Sequence, residues 1–499
     1  MTGCARLLLA LLLAPTLALP AACARVVNPA TGQTEFTAMT PAQEAQTGRQ
    51  QHPQVLVQFG GAYDDPALQT YVTGIGERLA AVSELPQLEF TFTVLSSDVV
   101  NAFALPGGYV YVTRGLLALA DDEAELAGVM AHEIGHVTAR HSAQRYSRGV
   151  LAQGGVAIGT ILAGVLGGGA AADLAQQAAG TGAQAYLSGY SRDQEFQADE
   201  LGVRYLARAG YDPTAMASFL AKLERNDQLM RRLAGRDGAD PASSWFATHP
   251  RTPDRVQRAA AQASATMAGE GRIGRDDYFA RIDGLIYGED PSQGYVRGHS
   301  FVHPDLRFAF DVPAGYRIVN TPAAVIGKAQ NGLMKFDAAR VPANRGIGAY
   351  LARDWARELG AGGLGNVQEA QVNGMPAARA VAVGTLDDGR PVTVALAAIG
   401  AGDGRIYRFM FVSPGRLSPA QANAYRATVD SFRRLSAADA AAIEVRRLRV
   451  VTVGPGQNAA ELARRMAVDA LPQEQFEVLN GLEPGAPLTR GQKIKLVAR

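Results

Sequence analysis

The chain has 499 residues, more than a single core usually holds, since cores stop growing at about 250–300 residues. Its 47% hydrophobic and 19% charged residues are those of a globular protein. A net charge of +1 excludes the basic footprint of a nucleic-acid binder.

In chain order, the first element is an export signal. Arg6 is followed by the apolar run LLLALLLAPTLAL and then by LPAAC, ending at Cys23 behind Ala21 and Ala22. The run is shorter than the roughly 20 residues of a membrane span, which favours a secretory signal. The pattern predicts a bacterial lipoprotein, cut before Cys23 and lipidated there. Pro20 stands where leucine is usual, and the alternative is a plain cleaved signal over residues 1–23. The chain has two cysteines, Cys4 and Cys23, so a mature form beginning at Cys23 holds no intramolecular disulfide.

The next informative stretch is NAFALPGGYVYVTRGLL. Pro106-Gly107-Gly108 reads as a turn, and Tyr109 to Thr113 are strong strand formers. A strand ending beside an active helix with one edge unpaired would hold an extended substrate by its main chain. Gly108, Tyr109, Val110 and Tyr111 are the candidates; the alternative is an ordinary core strand.

DDEAELAGVM then marks a helix start, because acids favour the positive end of a helix. The sequence AHEIGH follows. His132 and His136 are four apart and share a helix face, with Glu133 beside them. Neutral imidazoles suit zinc, zinc acidifies its bound water, and a neighbouring carboxylate can take the proton as hydroxide attacks a carbonyl. A catalytic zinc site needs a third protein ligand. SRDQEFQADELG offers one: Glu195 and Asp199 are also i and i+4. Glu195 would complete the ligand set, and Asp199 would orient a ligand histidine through its other ring nitrogen. Between the two motifs, residues 149–191 carry a single charge, Asp173. This glycine-rich segment is expected to be a mobile helical hairpin or loop flanking the cleft and able to touch a membrane.

HEIGHVTARH followed by EFQAD resembles the family-48 zinc metallopeptidases, the group of HtpX and the CAAX prenyl proteases. The resemblance extends upstream over NAFALPGGYVYVTRGLL and downstream over THPRTPDRVQR, about residues 40 to 285. It implies zinc held by His132, His136 and Glu195, with Glu133 as base. It also implies a role near the zinc for His249, either steadying the oxyanion or occupying the open position and holding the enzyme inactive. Arg255 matches a basic residue of the family pattern. His141 lies one helical turn further on, either behind the ligands or at the surface.

After about residue 285 the pattern changes. LRFAFDVPAGYRIV, MKFDAARV, PVTVALAAIG and RIYRFMFVSPG read as strands, with YLARDWARELG and PAQANAYRATVDSF as helices, an α+β domain over 300–436. The last part, 446–498, runs strand, turn, helix, helix, strand and resembles LysM-type modules. Gln457 and Arg490 depart from that pattern.

The expected fold is multidomain. A mainly α-helical zincin-type (gluzincin) peptidase domain with a small edge-strand sheet, 24–290, is followed by the α+β domain and a βααβ LysM-like module. The expected function is an exported zinc endopeptidase of the periplasm, tethered through lipid on Cys23, at the outer rather than the inner membrane. The resemblance implies unfolded or misassembled envelope and outer-membrane proteins as substrates, and the LysM-like module implies peptidoglycan. The rival readings are a chaperone-like binding protein with a latched site and a peptidoglycan-anchored scaffold.

Overall fold

The computed structural model describes residues 24–37, 39–152, 189–233, 235, 245–250, 254–266, 271–340, 345–360, 364, 366–385 and 390–499. Cys23 and the bulk of the glycine-rich segment, 153–188, lie outside the described residues.

The N-terminal part is a helical body around a small sheet. A short hairpin, β1 (Ala24–Val27) with β2 (Thr34–Thr37), leads into α1 (Pro41–Gln58) and α2 (Pro66–Ala81). Three strands follow, β3 (Thr91–Leu95), β4 (Ala102–Leu105) and β5 (Tyr109–Thr113). Their spatial order is β3-β5-β4, with β3 parallel and β4 antiparallel to β5. The expected substrate strand, Tyr109 to Thr113, is therefore the central one. Both of its edges are paired, which leaves Gly108, Tyr109, Val110 and Tyr111 no free ladder to offer. The strand formers of YVYVT recruited a neighbour on each side, and the NAFAL segment became the edge.

After α3 (Arg114–Leu119) comes α4 (Glu123–Thr138), the helix that carries AHEIGH. Asp122 caps it, accepting from Glu125 N at 2.9 Å. Every residue of α4 is buried, so it is a central helix rather than an amphipathic one. Around it pack α2, β4, α6 (Arg192–Arg208) and α7 (Ala215–Leu233). Two glycines allow α4 and α6 to meet closely. A Cβ on Gly135 would stand 3.2 Å from Ala198 O, and one on Gly202 would stand 3.2 Å from His132 N. Helix α5 (His141–Ala152), the short α8 (Trp245–Thr248), α9 (Arg255–Thr266) and α10 (Arg275–Ile282) complete this body.

A large β-rich region follows. A seven-stranded antiparallel sheet contains β9 (Arg317–Asn320), β10 (Val325–Ala329), β11 (Gly332–Arg340), β12 (Gln368–Val372), β13 (Met375–Thr385), β14 (Pro391–Gly400) and β15 (Arg405–Pro414) in the order β12-β13-β14-β15-β11-β10-β9. A four-stranded sheet holds β6 (Tyr295–Arg297), β7 (Ser300–His303), β8 (Phe308–Asp311) and β16 (Arg433–Arg434). Phe301, Phe310, Phe336, Phe409 and Phe432 form their common core beside α11 (Pro419–Asp430). YLARDWARELG is helical as expected, with a π-helical turn at Tyr350–Trp355.

After the short α12 (Ala437–Ala441), the chain ends as β17 (Arg447–Thr452), α13 (Ala459–Ala463), α14 (Pro472–Leu479) and β18 (Lys493–Ala498), with β17 antiparallel to β18. The strand–helix–helix–strand order is the expected one. Its packing is not that of a separate unit. Leu448, Leu462, Phe476, Ile494 and Leu496 join the same apolar core as Leu116, Leu119, Met130 and Phe279 of the helical body. Main-chain bonds from Gly284 N to Leu448 O and from Leu448 N to Leu285 O fix β17 beside the end of α10.

Candidate metal centre

Helix α4 places His132 and His136 one turn apart, and α6 brings Glu195 and Asp199 opposite them. His249, at the end of α8, comes from a third direction. His132, His136, Glu195 and His249 each offer a ligand atom, all within 4.8 Å of one another and all buried. His132 Nε2 is 3.0 Å from His136 Nε2 and 3.3 Å from His249 Nδ1. Glu195 Oε1 is 3.1 Å from His249 Nδ1 and 3.5 Å from His136 Nε2. Four donors about 2.0–2.1 Å from one zinc ion would stand about 3.3 Å apart at the corners of a tetrahedron. The spacing and the His/Glu donor set therefore fit zinc.

The surrounding contacts aim these ligands. His132 Nδ1 lies 2.9 Å from Asp199 Oδ1, which leaves Nε2 turned to the cluster. His136 Nδ1 lies 2.8 Å from His141 Nδ1, whose other nitrogen is 2.9 Å from Gln197 Oε1. His141 is fully buried behind the ligands, which decides its open alternative. Arg255 grips Asp199 with two bonds of 2.7 Å and reaches Glu195 Oε2 at 2.7 Å. Burial alone would raise the Asp199 carboxyl, but the Arg255 charge and hydrogen bonds bring it down to about 2. Glu195 is likewise lowered, against its burial, by His249 and Arg255.

Glu133 differs from these carboxylates. Its side chain is fully buried, neither oxygen has a hydrogen-bond partner among the described residues, and His249 Nε2 is 3.4 Å from Oε1. Burial raises its pKa. An unbonded buried carboxylate beside a ligand cluster is costly, and it persists where a proton must be handled.

Two aromatic residues close the site. Tyr190 stacks on His136 with ring centroids 3.8 Å apart, and Trp245 stacks on His249 at 4.0 Å. Sequence reading gave neither of them, nor the double grip of Arg255. They adjoin the motifs in space, and no spacing rule points to them. The unpaired edge on this side of the sheet belongs to β4. Thr113 N donates to Asn101 O, so by antiparallel alternation Ala102 and Ala104 turn their N–H and C=O groups away from β5. Among the described residues no further strand pairs with that edge.

Residues 66–263 match the model of Peptidase family M48. The chain is 31% identical to a beta-barrel assembly-enhancing protease of Yersinia pestis, over 45% of this chain and 45% of that one. It is 37% identical to the beta-barrel assembly-enhancing protease of Escherichia coli, over 32% and 33%. The mitochondrial metalloendopeptidase OMA1 of Schizosaccharomyces pombe is 29% identical, over 38% and 51%. The chain thus spans less than half the length of these bacterial relatives. Among solved structures, PsbP of Synechocystis aligns with a TM-score of 0.22 and 10% identity, over 28% of this chain and 98% of that one, and carries no functional weight. The segment that matches the family model contains every residue of the cluster, so the likeness to metallopeptidases and the candidate metal centre fall on the same stretch of chain.

Proposed function

We propose that this chain is a zinc endopeptidase of the bacterial envelope that hydrolyses unfolded or misassembled envelope proteins. The observation that carries the reading is the buried cluster in which His132, His136 and Glu195 offer three ligand atoms with the carboxylate of Glu133 beside them. Zinc held there would acidify a bound water and polarise a substrate carbonyl. Glu133 receives the proton at a carboxylate oxygen and passes it to the leaving amine, roles suited to a carboxyl whose pKa burial has raised. Asp199 and His141 hold the two α4 histidines in the tautomers that face the centre. Arg255 offsets the two buried carboxylates of α6. The outward groups of Ala102 and Ala104 pair with an extended polypeptide, which selects for unfolded chains. The names of the bacterial relatives point to outer-membrane barrel proteins as substrates.

A second reading has a specific observation in its favour. His249 stands at the fourth corner and within 3.4 Å of Glu133, with Trp245 stacked behind it. In this arrangement the site is shut and the protein holds polypeptides with little turnover. Location in the periplasm, a lipid on Cys23 and a glycan-binding role for 446–498 belong to the proposal as well. His249→Ala separates the two readings. A latch predicts faster cleavage of an unfolded protein than by wild type; an oxyanion role predicts a loss of about 100-fold or more.

A further inference from the structure

We propose that Lys495, carried by the C-terminal strand β18, is a positioning residue for the active-site helix α4, which makes residues 446–498 a working part of the peptidase. The turnover readout of this inference rests on the peptidase reading; its exchange readout does not.

Lys495 is fully buried, and the carbonyls it donates to lie 375–377 residues earlier in the chain. Its Nζ donates to the carbonyls of Ala118 and Leu119 at 2.9 Å and of Ala120 at 2.7 Å, and is 3.0 Å from Asp121 Oδ1. Those carbonyls end α3, where a helix leaves its acceptors unsatisfied and favours a cation. Lys222 of α7 holds the other oxygen of Asp121 at 2.6 Å. Asp121 N donates to Glu125 Oε2 at 2.8 Å, and Asp122 caps α4. Lys495 therefore clamps the joint between α3 and α4, two to three turns before His132. A joint fixed on both sides sets where the whole of α4 lies against α6, and hence where Glu133 stands among the ligands.

The C-terminal unit is shaped around this task. Asn480 holds the strand carrying the lysine in both senses: Lys495 N donates to Asn480 Oδ1 at 2.7 Å, and Asn480 Nδ2 donates to Lys495 O at 2.9 Å. At Gly481, with φ +63°, a Cβ would meet Asp121 Oδ2 at 2.4 Å, so the loop after α14 is fitted to the same carboxylate. Burying an ammonium is costly unless acceptors surround it. Burial brings its pKa down to about 7 in spite of Asp121. A lysine held there at that cost implies a unit that stays docked, unlike a tail free to bind elsewhere.

The test uses the full chain with dye-labelled casein as substrate. Lys495→Met is compared with Asn480→Ala and with Lys493→Met, whose lysine is on the same strand and pairs with the exposed Asp276. The expected result for Lys495→Met is a kcat lower by about tenfold or more with KM and zinc content unchanged. Amide exchange should speed up over residues 120–130 alone. Asn480→Ala should show the same pattern more weakly, and Lys493→Met should match wild type. Should Lys495→Met fail to fold, Asn480→Ala decides. Unchanged kcat and unchanged exchange at 120–130 would overturn the inference, as would exchange that rises uniformly over the chain. A wild type without turnover would overturn the peptidase reading instead, and exchange would still decide the positioning of α4.

Discussion

Asp199 uses one carboxylate for two partners. One oxygen lies 2.9 Å from His132 Nδ1, and both oxygens accept from Arg255. Removing it frees the ring of His132 and leaves the Arg255 charge buried with only Glu195. Asp199→Ala is expected to weaken zinc binding by about 10–100-fold, read by competition with a chelator. At this scale much was legible. The i, i+4 spacing in AHEIGH and in EFQAD places side chains on one helix face whatever the rest of the chain does. Tyr190, Trp245 and the grip of Arg255 were not legible, because they reach the cluster through the tertiary meeting of α4, α6 and α8. His141 was read with its alternatives open, and only the packing of α5 against α4 decided it.

At the scale of elements, strand propensity identified YVYVT but not its place in the sheet. Residues that pair well do so on both edges unless something covers one of them, and here β3 and β4 took both. The unpaired ladder fell to NAFAL, whose small alternate residues Ala102 and Ala104, both buried, carry the groups that face away from β5. If substrate pairs there, Ala104→Pro deletes one outward N–H without touching the bonds to β5. KM should rise about 2–10-fold, the worth of one main-chain hydrogen bond, with zinc content unchanged. An unaltered KM in steady-state kinetics would place the substrate elsewhere. The start of α4 was marked by its acidic first turn, and Asp122 and Ser191 cap α4 and α6 immediately before such turns.

At the scale of the whole molecule, the β-rich region has its own pH response. His303 of β7 is buried, and burial with the nearby Arg405 charge lowers its pKa to about 4. In the unfolded chain it takes up a proton near pH 6.5, while in the folded chain it stays neutral until about pH 4. Stability is therefore lost as pH falls through that window, by up to about 3 kcal/mol. Denaturant melts between pH 7 and 4 should show the loss, and His303→Gln should flatten it. The C-terminal unit shows where sequence reading ends. Its element order followed from turns and alternation, but in GQKIKLV the period-two pattern puts Lys493 and Lys495 on one face, where lysines are ordinarily solvated. Only Lys493 is; Lys495 lies under the helical body, and its burial depends on partners more than 370 residues away in sequence.

The most direct measurement compares degradation of an unfolded outer-membrane protein by wild type and by Glu133→Gln, with zinc quantified in both. The account predicts that each holds about one zinc and that the variant loses about 10²–10⁴-fold in turnover. Equal cleavage by both proteins, or zinc lost along with the carboxylate, would contradict Glu133 as the group that handles the proton.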